Sequence, residues 1–130
     1  MIVLDASAVL EWLMQTPAGH RVEERVVAGR ESLHAPHLLD IEVAQALRRY
    51  VAAGILAPAR AQEALQDLLD LPLSRYPHEL FLWRIWKLRH NLTAYDAAYV
   101  ALAEALGAPL VTCDKKIASA PGHHARVEVV

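Results

Sequence analysis

Two short, almost wholly apolar runs constrain this chain most. Ile2-Val3-Leu4 stands at the start, and Leu110-Val111-Thr112 follows the breakers Gly107 and Pro109. Neither run alternates apolar with polar residues, which is the pattern of a strand buried on both faces of a parallel sheet. Parallel strands need helical crossovers. Helical periodicity fills the stretches near 6–15, 20–29, 37–53, 58–70, 77–90 and 94–106. Weaker strand candidates are 32–35, 73–75 and 127–130. Pro17, Pro36, Pro58, Pro72, Pro77 and Pro109 fall at or near the boundaries, where proline is tolerated. Gly54 and Gly107 look like C-terminal stops. Strands alternating with helices predict an α/β fold, a three-layer α/β/α sandwich around a parallel sheet. No repeat, low-complexity stretch or linker divides residues 1–130, which read as a single domain.

Hydrophobic residues make up 55% of the chain, enough for a packed core, and the disordered class is excluded. A net charge of -2 argues against a protein that coats nucleic acid by bulk electrostatics. It leaves room for an enzyme that reaches a phosphodiester through a bound cation. Cys113 is the one cysteine, so an intramolecular disulfide and a Cys-rich zinc site are both excluded. The opening residues lack a basic segment and a small-residue cleavage site, and no apolar run approaches the ~20 residues that span a bilayer. A cytoplasmic protein without membrane contact is the expectation.

Open parallel sheets place their sites beyond the carboxyl ends of the strands, where strand order reverses. Asp5 directly follows the first run, and Asp114 lies two residues beyond Thr112. Asp96 falls in the first turn of the helix leading into the later strand, and Glu42 falls in a helix that is apolar nearly all round. These four acids can converge if the two apolar strands are neighbours. Each of three has an ordinary local role. Asp5 can cap the helix from Ala6, Asp114 can cap a short helix from Lys115, and Thr93-Ala94-Tyr95-Asp96 resembles a capping box. Glu42 has none: Leu38, Leu39, Gln45 and Ala46 are its helical neighbours, and none is a cation.

Carboxylates brought together repel one another unless a cation sits among them. Oxygen ligands select a hard ion, Mg²⁺ or Mn²⁺. Such an ion activates water against a phosphodiester, so no serine or cysteine nucleophile is required. In that reading Asp5, Asp96 and Asp114 hold the metal, and Glu42 is a ligand to water or metal. Ser7 and Thr112 could orient those ligands from behind; helix capping and strand termination account for them equally well from spacing alone. Lys115 and Lys116, next to Asp114, are the best placed of the basic residues to meet substrate. The seven histidines are scattered apart from His123-His124 and carry no metal assignment. Cys113 reads as a small buried hydrophobe, and Trp12, Trp83 and Trp86 as core or dimer-interface residues.

Four blocks in order resemble the PIN-domain family. They are Asp5-Ala6-Ser7-Ala8 after an opening strand; Pro36, Leu39, Glu42-Val43 and Ala46-Leu47; Tyr95-Asp96-Ala97-Ala98-Tyr99-Val100-Ala101-Leu102-Ala103; and Leu110-Val111-Thr112-Cys113-Asp114. The compact length resembles the VapC branch, toxins of type II toxin–antitoxin pairs. The resemblance implies strand order 3-2-1-4-5 and a Mg²⁺- or Mn²⁺-dependent endoribonuclease acting on RNA. It implies a homodimer held in check by a VapB-like antitoxin, and it matches Asp5, Glu42, Asp96 and Asp114 to the family's acidic positions. Gln45 stands where many members carry Asn.

Other classes compete. A response-regulator receiver needs an acidic pair after the first strand and an Asp after the third; here the first strand supplies only Asp5, and residues 73–76 hold no acid. A non-catalytic metal-binding interaction module on the same fold and a DNA-directed nuclease both remain open on sequence alone.

Overall fold

The computed structural model describes residues 1–130. Its centre is a five-stranded sheet in the order β3-β2-β1-β4-β5, with every neighbouring pair parallel. The strands are β1 (Ile2–Leu4), β2 (Leu33–Pro36), β3 (Leu73–Tyr76), β4 (Leu110–Thr112) and β5 (Val127–Val129). All residues of β1 and β4 are fully buried, as continuous apolar runs require. The helices are α1 (Ala6–Leu13), α2 (Pro17–Gly29), α3 (Leu38–Ala52), α4 (Pro58–Asp70), α5 (Leu82–Lys87), α6 (Ala94–Leu106) and α7 (Lys115–Ser119). Right-handed crossovers put α1 to α4 over one face and α5 to α7 over the other, because the chain moves outward from β1 in opposite directions. The direction reverses between β1 and β4, which pair through Val3 with Leu110 and Leu4 with Val111.

Local chemistry sets most boundaries. Thr16 caps α2 by accepting the Gly19 N–H at 3.0 Å, and Pro17 takes the first helical position. α2 therefore begins three residues earlier than its periodicity predicts. Gly107 ends α6 with φ 61°, a left-handed conformation that glycine adopts without a Cβ clash. Gly19 serves close packing instead. A Cβ there would stand 2.0 Å from the Glu11 carbonyl oxygen, so α1 and α2 approach as closely as they do only without one. Arg75 of β3 forks onto Asp40 of α3 at 2.8 and 3.0 Å, fixing the helix that carries Glu42 to the edge strand.

One expected element differs. Residues 77–90 do not form one long helix but a 3-10 turn, His78–Phe81, followed by the short α5. Leu80, Leu82, Trp83 and Trp86 are all exposed; of this segment only Ile85 and Leu88 are buried in the core, with Phe81 half-buried against it. So narrow a buried stripe gives a longer helix little packing energy. No helix is long and apolar enough to cross a membrane.

Candidate active site

The carboxyl ends of β1 and β4 lie side by side, and the loops leaving them carry Asp5 and Asp114. α1 and α6 turn their N-termini toward the same edge, since α1 leaves β1 there and α6 runs back down to β4. Asp5 is the N-cap of α1 and is 4% exposed. Its Oδ1 accepts from the Ala8 N–H at 3.0 Å and the Ser7 hydroxyl at 2.7 Å, and its Oδ2 accepts from the Thr112 hydroxyl at 2.5 Å. The capping role expected from sequence is therefore present. It leaves Oδ2 with a lone pair that no protein donor occupies.

Ser7 and Thr112 knit the two strand ends together. Thr112 is fully buried; its hydroxyl accepts from the Asp114 N–H at 2.9 Å and lies 3.2 Å from the Ser7 hydroxyl. The Ser7 hydroxyl accepts from the Cys113 N–H at 3.0 Å. These two hydroxyls orient Asp5 and hold the backbone that presents Asp114. Asp114 caps α7 by accepting the Lys116 N–H at 2.9 Å. Lys115 and Lys116 are both exposed beside it.

Asp96 is the third residue of α6, half-buried, with Thr93 as N-cap accepting the Asp96 N–H at 3.2 Å. Glu42 lies on α3, also half-buried. Ile41 beside it is 69% exposed, so α3 is amphipathic rather than apolar all round, and Glu42 stands at the margin of its buried stripe. The Glu42 carboxylate accepts a 2.5 Å hydrogen bond from the hydroxyl of Tyr99, a side chain that is 1% exposed. Sequence reasoning gave Tyr99 no role beyond its place in the third family block. The signal was there: a tyrosine buried in a helix core needs a partner for its hydroxyl.

The electrostatics bind these acids into one group. Burial pushes the Asp5 carboxyl above the usual carboxylate range; bonds from Thr112, Ala8 and Ser7 pull it back, and the charge of Asp96 pushes it up further. Glu42 is raised by burial, lowered by Tyr99, and raised again by Asp96 and Asp5. Asp96 is raised by burial and then by Asp114, with Thr93 and Lys116 opposing. Asp96 is thus the hub, coupled to each of the other three. Burial, then Glu42, pushes the Tyr99 phenol up, so it remains a donor. None of the four acids forms an ion pair with Lys, Arg or His. Buried and half-buried carboxylates that repel one another and form no ion pair, with only the exposed Lys116 opposing them, make a place where a bound cation is stabilised.

The donor set fits a hard divalent ion, because it is all oxygen. As the side chains stand, no three His, Cys, Asp or Glu residues are close enough to enclose an ion by themselves. Mg²⁺ dehydrates reluctantly and keeps waters or phosphate oxygens in its shell beside its carboxylate ligands. Cys113 is half-buried and its thiol is raised by burial, then by Asp5 and Glu11, so it is kept a thiol rather than a thiolate nucleophile. Trp12 packs against the core, whereas Trp83 and Trp86 are 83% and 60% exposed.

Comparison with known proteins places this arrangement. Residues 2–122 match the PIN domain family. Ribonuclease VapC12 of Mycobacterium tuberculosis is 43% identical over 130 residues, covering 100% of this chain and 99% of its own. Ribonuclease VapC1 of the same organism is 46% identical over 132 residues, covering 98% of this chain and 96% of its own. Among solved structures, VapBC2 from Rickettsia felis, bound to a DNA fragment from its promoter, superposes with a TM-score of 0.70. The identity there is 15%, over 99% of this chain and 98% of the other, a likeness of fold. With its sheet order, its ordered sequence blocks and these relatives together, the chain belongs to the PIN-domain family and, within it, to the VapC branch.

Proposed function

We propose that this protein is a Mg²⁺- or Mn²⁺-dependent endoribonuclease and the toxin of a toxin–antitoxin pair. The observation that carries the reading is the grouping of Asp5, Glu42, Asp96 and Asp114 at the strand-order reversal, where their charges act on one another, none is in an ion pair and only the exposed Lys116 opposes them. The relatives that match nearly the whole chain are named ribonucleases, which supports RNA as the substrate class. A divalent ion, when bound, supplies a Lewis acid that lowers the pKa of water and offsets charge on phosphate oxygens.

The chain's residues divide the remaining work. Asp5, Asp96 and Asp114 hold the ion; Glu42 binds the ion or orients a water. Ser7 and Thr112 fix Asp5, so its free lone pair keeps one direction before substrate arrives. Lys115 and Lys116 meet substrate phosphate near Asp114 as exposed point charges. A homodimer would bury the exposed apolar face of Leu82, Trp83 and Trp86, a patch of the kind that marks protein contacts. A VapB-like antitoxin is the expected inhibitor, and the setting is cytoplasmic.

The test is cleavage of single-stranded RNA with Mn²⁺, with excess chelator, and by Asp96→Asn, with single-stranded DNA of the same sequence alongside. RNA should be cut only with metal and only by the unsubstituted protein. Cleavage that survives Asp96→Asn contradicts the mechanism, and cleavage of DNA alone contradicts the substrate. A short reading frame encoding an antitoxin should adjoin the gene.

A further inference from the structure

Tyr99 lies in the middle of α6, one turn beyond Asp96, and is among the largest fully buried side chains of the protein. Its ring packs in the core. Its hydroxyl reaches Glu42 Oε1 on α3, the only hydrogen bond that the Glu42 side chain makes. Glu42 therefore depends on another helix for its orientation. It forms no ion pair, caps no helix and has no cation at helical spacing. A glutamate has three rotatable bonds, and fixing them costs side-chain entropy. One donor from a rigid aromatic stem, set in the core, does that fixing before substrate binds.

We propose that Tyr99 is a positioning residue: its hydroxyl fixes Oε1 of Glu42 and leaves Oε2 as the oxygen offered to a divalent ion or its water. This inference rests on the metal-dependent reading above. α6 thus contributes twice to the site. It carries Asp96 directly and, one turn later, sets the angle of the acid supplied by α3. The helix that holds one ligand also orients another, so the relative placement of α3 and α6 is written into the site.

The test is a double-mutant cycle on the full chain with Tyr99→Phe and Glu42→Ala. Phenylalanine keeps the ring and its packing and removes the hydroxyl alone. Two readouts are taken for all four proteins: Mn²⁺ affinity from a titration followed by electron paramagnetic resonance, and kcat and KM for RNA cleavage. Tyr99→Phe should weaken Mn²⁺ binding or kcat roughly tenfold, the worth of one hydrogen bond to a charged group, with KM little changed. In the Glu42→Ala background the same substitution should change neither by more than about twofold. Equal losses in both backgrounds would mean a role in packing only and would overturn the proposal, as would wild-type values for Tyr99→Phe or Glu42→Ala. Asp96→Asn serves as a separate arm. If it leaves both readouts intact, the metal-dependent reading itself fails; if it abolishes them while the cycle shows no coupling, only the role of Tyr99 fails.

Discussion

Asp96→Asn should make the metal-free protein more stable while removing its activity. Asp96 is half-buried, with Asp114 acting on its charge and its own charge acting on Asp5 and Glu42. Desolvation and like-charge repulsion at such a site cost on the order of 1 kcal/mol once solvent screening is allowed for. An asparagine escapes both and keeps the shape. It forfeits the attraction of a carboxylate for the α6 N-terminus, roughly 0.3–0.5 kcal/mol at a partly exposed first turn. Repulsion wins, and the net gain is about 0.5–1 kcal/mol, or roughly 2–4 °C in melting temperature for a chain of this size. The pH dependence fixes the sign. A carboxyl whose folded pKa is raised lends stability below its unfolded value of 3.8 and loses it as pH climbs through the folded value. Wild type and variant should therefore melt together near pH 3.5, and the variant should pull ahead as pH rises. Urea denaturation in chelator across that range measures it. A variant less stable at pH 7.5 would refute the reasoning, because Asp96 would then be a helix-capping acid and nothing more.

Other outcomes follow from the same geometry. Thr112→Val removes a fully buried hydroxyl that serves Asp5 and the Asp114 N–H, and should cost roughly 2 kcal/mol in urea unfolding; a loss below about 0.5 kcal/mol would show that the strand ends are held by something else. Gly19→Ala puts a methyl group onto the Glu11 carbonyl and should cost about 3 kcal/mol, with near wild-type stability showing that α2 is free to slide. Mg²⁺ added to metal-free protein should raise the melting temperature more at pH 8 than at pH 4.5, since protons compete for Asp5, Glu42 and Asp96. An equal rise at both values would place the ion elsewhere.

The two apolar runs made the central strands legible, because both are short and continuous, and the second is set off by Gly107 and Pro109. β2, β3 and β5 were weaker, since Ser74 is exposed, Arg75 is tied to Asp40 and Glu128 is tied to Arg25, giving mixed patterns. α2 was cut short because periodicity begins after its cap, although Thr16-Pro17 was a readable start signal. The 77–90 segment misled because its apolar residues suggest a helix face, and most of them point to solvent instead. At the site, Asp5, Asp96 and Asp114 carry the local helix-start roles their spacing suggests, and those roles coexist with convergence. A cap uses one face of a carboxylate and leaves the rest. Glu42, with no local partner in sequence, finds one in Tyr99 across the interior, a long-range contact that no spacing rule reveals.

The most direct test of the central claim is anomalous scattering from a crystal of the protein grown with Mn²⁺. A manganese peak should lie within bonding distance of carboxylate oxygens of Asp5, Asp96 and Asp114, with Glu42 bonded to the ion or to one of its waters. A peak at another place, or none at saturating Mn²⁺, would contradict the account.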